Sequence, residues 1–306
     1  MHQGACLPRL KATFEADWIA QLRSHLVNVQ GWPAAEVANL DDRDVRFSYF
    51  DAQRRRIAPA PRTIKIADHF VCPGEHEIGW KALQEKVRKG EDINPHLSKR
   101  HASLLNPDGL LAEWGVHHFH LGVVPDQKHP TYVGRTGPLL YALVNDQSFC
   151  AINVYTHQSF ENSGILESIH RNRPMMITRY RAKGVTGGEW NRAQRLALRN
   201  KNANVLVATA DGTVYMPISG GVMASGVNAE AVRLADYCQD KIREIQANFE
   251  RQLDDLLPTL RQHGFGGEEE IIAELKLSEA GLQVFFPKYR VLVNVTLIDD
   301  ATACHD

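Results

Sequence analysis

The chain has 306 residues, 43% of them hydrophobic and 23% charged, with a formal net charge of −1. Those proportions belong to a folded soluble protein with room for one or two domains. They leave no global positive field for nucleic acid, so such a partner needs a local basic patch, and no uncharged apolar run is long enough to span a membrane.

In chain order, "TFEADWIAQLRSHLVNV" (13–29) predicts a helix with Phe14, Trp18, Leu22 and Leu26 as its apolar stripe. "DVRFSYF" alternates Val45, Phe47 and Tyr49 and predicts a half-buried strand. The stiff "APAPR" at 58–62 is a connector. "TIKIADHFV" reads as a strand, and "EHEIGWKALQEKVRKG" as an amphipathic helix on Ile78, Leu83 and Val87 that stops at Gly90. Helical turns are expected over "PHLSKRHASLL" and "PDGLLAEWG". Three strands follow, "GVHHFHLG", "GPLLYALVND" and "SFCAINVYTH", the last two joined near Asp146 and Gln147. "NSGILESIHRNRP" predicts a helix stopped by Pro174, and "NVLVATADGTVYMPISGG" a hairpin turning at Asp211-Gly212. Val232, Ala235, Ile242, Ile245, Phe249, Leu253 and Leu256 predict one long helix over about 228–260, suited to pairing with a second copy in a homodimer. "GLQVFFPKYRVLVNVTLID" returns to β. The expected fold is α+β: an antiparallel meander packed on helices, a long C-terminal helix and a second β element. The expected segments are 1–60, 61–175 and 176–306.

Cys6, Cys72, Cys150, Cys238 and Cys304 are scattered, with no CxxC spacing. Such a set reads as reduced thiols of a cytoplasmic protein. The N-terminus "MHQGACLPRLKATFEADW" carries no apolar signal core, which points the same way.

The stretch "GVHHFHLG" packs three histidines into four positions. Strand alternation puts His118 and His120 on one face, and His117, Phe119 and Leu121 on the apolar other. Two imidazoles about 7 Å apart on one strand face suit acid–base catalysis, because both protonation states are accessible near neutral pH. They also suit metal binding, with His118, His120 and His157 as ligands, although Glu113, the nearest acidic residue, precedes the strand. Arg135, opening the second strand, and Tyr155 and His157, ending the third, come near them if the strands form a meander.

The order of strand, helices and three-strand meander over roughly 63–158 resembles the RelE-type ribonucleases of the barnase–EndoU–RelE group. That resemblance implies a metal-independent endoribonuclease, of toxin or defence type, that attacks through the RNA 2′-hydroxyl without a cofactor and is open to a protein inhibitor. It carries roles to His118, His120, Arg135 and His157. RelE-type chains are much smaller and strongly basic at the site, whereas this chain has histidines there, closer to the EndoU-like pattern.

Two basic segments are candidate RNA contacts. "KVRKGEDINPHLSKRH" includes Lys99 and Arg100. "HRNRPMMITRYRAKG" interleaves Arg171, Arg173, Arg179 and Arg181 with Tyr180, and the positive run continues through Arg195 and Arg199. The glycines of "PISGGVMASGVNAEA" match neither a P-loop nor a dinucleotide fingerprint and read as a turn, with Asn228 or Ser225 capping the next helix. A metal-dependent hydrolase built on the histidines and a non-catalytic RNA- or protein-binding module remain the two other readings.

Overall fold

The computed structural model describes residues 8–99, 103–104, 106, 108–156, 163–188, 190–278 and 281–295. β1 (Arg9–Ala12) leads into α1 (Phe14–Asn28), whose buried stripe is the expected Phe14, Trp18, Leu22 and Leu26 with Ile19 beside it. After α2 (Ala34–Ala38), the segment "DVRFSYF" lies in α3 (Asp42–Arg55), a helix where a strand is expected. Its ends explain the outcome. The Asp41 carboxylate accepts the Asp44 N–H at 2.7 Å. Asp42 and Asp44 occupy the first turn and Arg54 and Arg55 the last, each complementing the helix dipole. Val45 and Ala52, seven apart, are the fully buried positions, so the apparent alternation of Val45, Phe47 and Tyr49 is incidental.

β2 (Thr63–Ile66) precedes α4 (Glu77–Lys89), which Gly90 closes in the left-handed conformation at φ 73°. The buried face of α4 is Trp80, Leu83 and Val87, while Ile78, expected there, is 72% exposed. Among the described residues, a 3-10 turn at Asn94–His96 falls within the stretch where a helix is expected over "PHLSKRHASLL". Asn94 holds that turn by accepting the Ile57 N–H and donating to the Ile57 carbonyl, at 2.9 and 2.8 Å. Residues 100–102 and 105 of that segment lie outside the described ones. α5 (Gly109–Trp114), β3 (Val116–His120), β4 (Pro138–Val144) and β5 (Ser148–Thr156) follow.

After α6 (Ser163–Asn172), Pro174 both ends one helix and starts the next, α7 (Pro174–Ile177), since a helix's first turn does not use the missing N–H. β6 (Arg181–Ala182), α8 (Arg192–Arg199), β7 (Val207–Ala208) and β8 (Val214–Tyr215) come next, with β7 and β8 paired antiparallel around Asp211-Gly212 as expected. The long helix is two helices, α9 (Ala229–Arg251) and α10 (Leu253–Gln262), because Gln252 leaves the helical region at φ −103°, ψ 18°. Its seam residues Ala235, Ile242, Ile245 and Leu253 are already buried within the single chain, so covering them takes no second copy. β9 (Glu270–Ser278), β10 (Gly281–Phe286) and β11 (Val291–Asn294) complete the order.

The fold is α+β. Residues up to Arg46 and from Leu234 onward cluster into one compact unit, and Phe47–Arg233 into another. The expected boundaries near 60 and 175 give way to this division because β1 pairs in parallel with β9, tying the two ends of the chain together. In the first unit the sheet order is β1-β9-β10-β11. β1 covers β9 only from Glu270 to Ala273. Beyond it, α1 side chains take over the strand's backbone groups. Asp17 accepts the Leu275 N–H at 2.9 Å, and Gln21 donates to the Leu275 carbonyl at 2.8 Å and accepts the Leu277 N–H at 2.7 Å.

The second unit holds a sheet of order β2-β5-β4-β3, antiparallel except for the β2–β5 pair, and a small sheet β6-β8-β7. The meander expected from sequence is therefore present. Both faces of the larger sheet are covered. Trp80, Leu83 and Val87 of α4 pack on Phe119, Leu140 and Phe149, and Ile165, Leu166 and Ile169 of α6 pack with Val116, Leu139 and Tyr141 on the other side. α4 lies so close that a Cβ at Gly79 would collide with the Leu121 carbonyl. Among the described residues no helix is long and apolar enough to cross a membrane, and Cys72, Cys150 and Cys238 form no disulfide.

Candidate functional site

β3 pairs with β4 so that His118 faces Tyr141 across the ladder, their ring centroids 6.4 Å apart. Alternation puts Val116, His118 and His120 on the face shared with α5 and α6, and His117, Phe119 and Leu121 on the α4 face. The expected facing is correct. Every β3 residue is nonetheless buried, because both faces of the sheet are covered.

The two histidines have different surroundings. His118, 7% exposed, lines a cavity of about 750 Å³. His120, 3% exposed, is not part of that lining. Its Nδ1 accepts the Thr136 N–H at 3.1 Å, which places the neutral ring's proton on Nε2, and its carbonyl accepts from His96 Nδ1 at 2.8 Å. Burial of His96 pushes its pKa below the usual histidine value, an effect the bond to the His120 carbonyl partly opposes.

Six charged or titratable side chains line the cavity: Asp108, Glu113, His118, Arg135, Arg195 and Arg199. Asp108 caps α5, its Oδ1 accepting the Leu110 and Leu111 N–H groups at 3.1 and 3.0 Å. The cap turns Oδ2 toward His118, 3.9 Å from Nδ1, which is beyond a hydrogen bond but well inside Coulomb range. Glu113 comes from the last turn of the same short helix. α8 opens on a capping box between Asn191 and Gln194, which sets Arg195 and Arg199 one turn apart on one face. Both guanidiniums meet Glu113: Arg195 Nη2 reaches Oε1 at 3.4 Å, and Arg199 donates to Oε2 through Nε at 3.1 Å and through Nη2. The Arg195 side chain is 5% exposed and its guanidinium lies 5.7 Å from the Trp114 ring centroid.

Asn106, Asn200, Asn202 and Asn204 add amides to the lining, together with Gly221 and Gly226 of the glycine-rich stretch. That stretch is a tied turn. Asn204 accepts the Val222 N–H at 2.9 Å and donates to the Val222 carbonyl at 2.8 Å, Asn202 donates to the Ala224 carbonyl at 3.0 Å, and Asn228 caps α9 by accepting the Ala231 N–H at 3.0 Å.

Of the expected catalytic set, His118 and Arg135 thus share one cavity, and His120 does not join them. Tyr155 packs edge-on against Tyr141, with centroids 5.5 Å apart, on the sheet face and outside the cavity lining. His157 lies outside the described residues, as does Arg100 among the expected RNA contacts. The remaining basic residues serve local bonds and do not line the cavity. Lys99 pairs with Asp126 at 2.8 Å, a bond that holds the Asp126 carboxyl below the usual range. Arg171 pairs with Asp68 at 2.9 Å, and Arg173 donates to the Asn172 carbonyl at 2.6 Å. Arg179 lies over Tyr180 at 5.0 Å from its centroid. Arg181 donates through Nε to the Tyr215 hydroxyl at 3.2 Å, and His170 bridges that hydroxyl to Asp211.

Asp108 is a site residue that the sequence does not single out, and Arg195 and Arg199, expected only as part of a basic run, join His118 at the cavity. Their signals are present: Asp108 precedes "GLLAEW" at a cap position, and the arginines are four apart after the Asn191–Gln194 box. Among the described residues no group of three or more His, Cys, Asp or Glu side chains is arranged to hold a metal ion. No protein-family model, curated protein or solved structure matches the chain.

Proposed function

We propose that the chain is an endoribonuclease whose reaction takes place in this cavity, with His118 as the acid–base residue. The observation that carries the reading is the convergence of His118, the Asp108 carboxylate beside it and three arginines on one cavity. His118 removes the proton of the ribose 2′-hydroxyl. The 2′-oxygen then forms its bond to phosphorus while the bond to the 5′-oxygen breaks, and the departing oxygen takes a proton from solvent. Products are a 2′,3′-cyclic phosphate and a 5′-hydroxyl. Arg135 meets the negative charge that builds on the phosphoryl oxygens, and Asp108 compensates the charge gained by the imidazole ring. His120 acts indirectly in this scheme: through Thr136 it fixes the backbone immediately after Arg135.

The sequence-level resemblance to the barnase–EndoU–RelE group supports RNA as the substrate class. Of the parts that carry that resemblance, a strand, a helix and a three-strand meander follow one another as β2, α4 and β3-β4-β5, whereas a 3-10 turn at Asn94–His96 lies within the second helix it calls for. Incubating the chain with a single-stranded RNA oligonucleotide and its 2′-O-methyl counterpart tests the reading. Cyclic-phosphate ends from the first and an intact second strand are expected. Equal cleavage of both removes the 2′-hydroxyl mechanism, and cleavage of neither removes the nuclease reading.

A further inference from the structure

We propose that Glu113 is an internal stand-in for a ligand phosphate, and that Arg195 and Arg199 form a second anion subsite beside the one at His118 and Arg135. The proposal rests on the phosphodiester reading above for the identity of the ligand. It adds that the cavity takes a strand with at least two consecutive phosphates, not a mononucleotide.

Three observations carry it. First, the two cations are presented by a different element from the catalytic group: Arg195 and Arg199 project from one face of α8, while His118 stands on β3. Second, both guanidiniums converge on the one carboxylate of Glu113, the arrangement in which a pair of arginines also grips a phosphate. Third, Arg195 is buried against Trp114 and held there by ring contact, so its guanidinium stays in position when a phosphate displaces the carboxylate. A cavity of 750 Å³ is toward the upper end of ligand-enclosing pockets, about 300–1,000 Å³, and has room for more than one charged group.

In this arrangement Glu113 competes with the ligand. It pairs with both guanidiniums and yields them to a strand that brings its own anion. Short or singly charged ligands cannot make that exchange and still reach His118.

Binding separates this from a purely structural ion pair. Fluorescence anisotropy is measured for a 2′-O-methyl RNA tetranucleotide, which lacks the attacking hydroxyl, and for a nucleoside 3′-monophosphate, with wild type, Glu113→Gln and Arg199→Gln. Glu113→Gln should bind the tetranucleotide about tenfold tighter and the mononucleotide unchanged. Arg199→Gln should weaken tetranucleotide binding about tenfold and reduce the salt slope of log K by about 0.7, the increment for one lost contact to a single strand, again sparing the mononucleotide. Unchanged or weaker tetranucleotide binding by folded Glu113→Gln overturns the proposal. If Glu113→Gln does not fold, Arg199→Gln decides alone, and an unchanged tetranucleotide affinity overturns it. Cleavage by wild type with no difference among the variants removes the clamp but not the nuclease. The expected affinity changes without any RNA cleavage keep the clamp and remove the nuclease.

Discussion

His118 Nδ1 stands 3.9 Å from Oδ2 of Asp108, a carboxylate whose other oxygen caps α5. One residue therefore does two jobs: it fixes a helix end and places a negative charge beside an imidazole. Asparagine separates them, because it caps a helix about as well as aspartate but carries no charge. Asp108→Asn is expected to keep its melting temperature within a few degrees of wild type. It should lower kcat by about tenfold to a hundredfold, the worth of roughly 1–3 kcal/mol of charge compensation at that distance. Rate measurement at fixed substrate saturation checks this, and an unchanged kcat removes Asp108 from the chemistry.

Arg135 is exposed at the start of the β4 approach and lines the cavity with His118. A planar guanidinium can bond two phosphoryl oxygens at once, which an ammonium cannot. Arg135→Lys should lose on the order of 10²–10³ in kcat, as removal of one preorganised transition-state donor does elsewhere. Stability should not change, since the side chain is exposed. A fall in affinity alone, with kcat intact, would make Arg135 a binding residue.

His96 links the site to pH. Its Nδ1–H bond to the His120 carbonyl survives protonation, but burial disfavours the charged ring and lowers its folded-state pKa. The unfolded chain then binds the proton more readily than the folded one. The stabilisation is present above the ordinary histidine value of about 6.5 and is lost as pH falls below it. Asparagine retains a donor near the Nδ1 position without titrating. Wild type should lose melting temperature between pH 7 and pH 5 more steeply than His96→Asn, and parallel curves would show that His96 does not set that slope.

The contrast between α3 and the meander shows which parts of the fold the sequence could reveal. Apolar runs around "LLYALV" and "FCAINV" specify strands whichever face they turn to the core, so β4 and β5 are legible. "DVRFSYF" fits both periods, and only its own Asp44 with the flanking Asp41, Asp42, Arg54 and Arg55 decide for a helix. β9 was not anticipated: its backbone is completed by β1 and by the α1 side chains of Asp17 and Gln21, partners more than 250 residues away. For the site, facing was readable from alternation, but exposure was not. It depends on α6 covering the second face of the sheet, which nothing within "VHHFH" records.

Gln21 offers a test of that unanticipated strand. Gln21→Leu removes the partners of the Leu275 carbonyl and the Leu277 N–H at nearly constant volume. A loss of about 1 kcal/mol in denaturant unfolding is expected, because these groups are only partly shielded from water. Cleavage per folded molecule should be unaltered, since all six charged cavity residues belong to Phe47–Arg233. A loss of activity at full folding would contradict that separation.

The most direct measurement is the cleavage rate of a single-stranded RNA oligonucleotide by His118→Ala, set beside His120→Gln. The account predicts a fall in kcat of about 10²–10⁴ for His118→Ala, the usual contribution of a positioned acid–base group, and a smaller effect for His120→Gln. A His118→Ala protein that cuts RNA at the wild-type rate would contradict it.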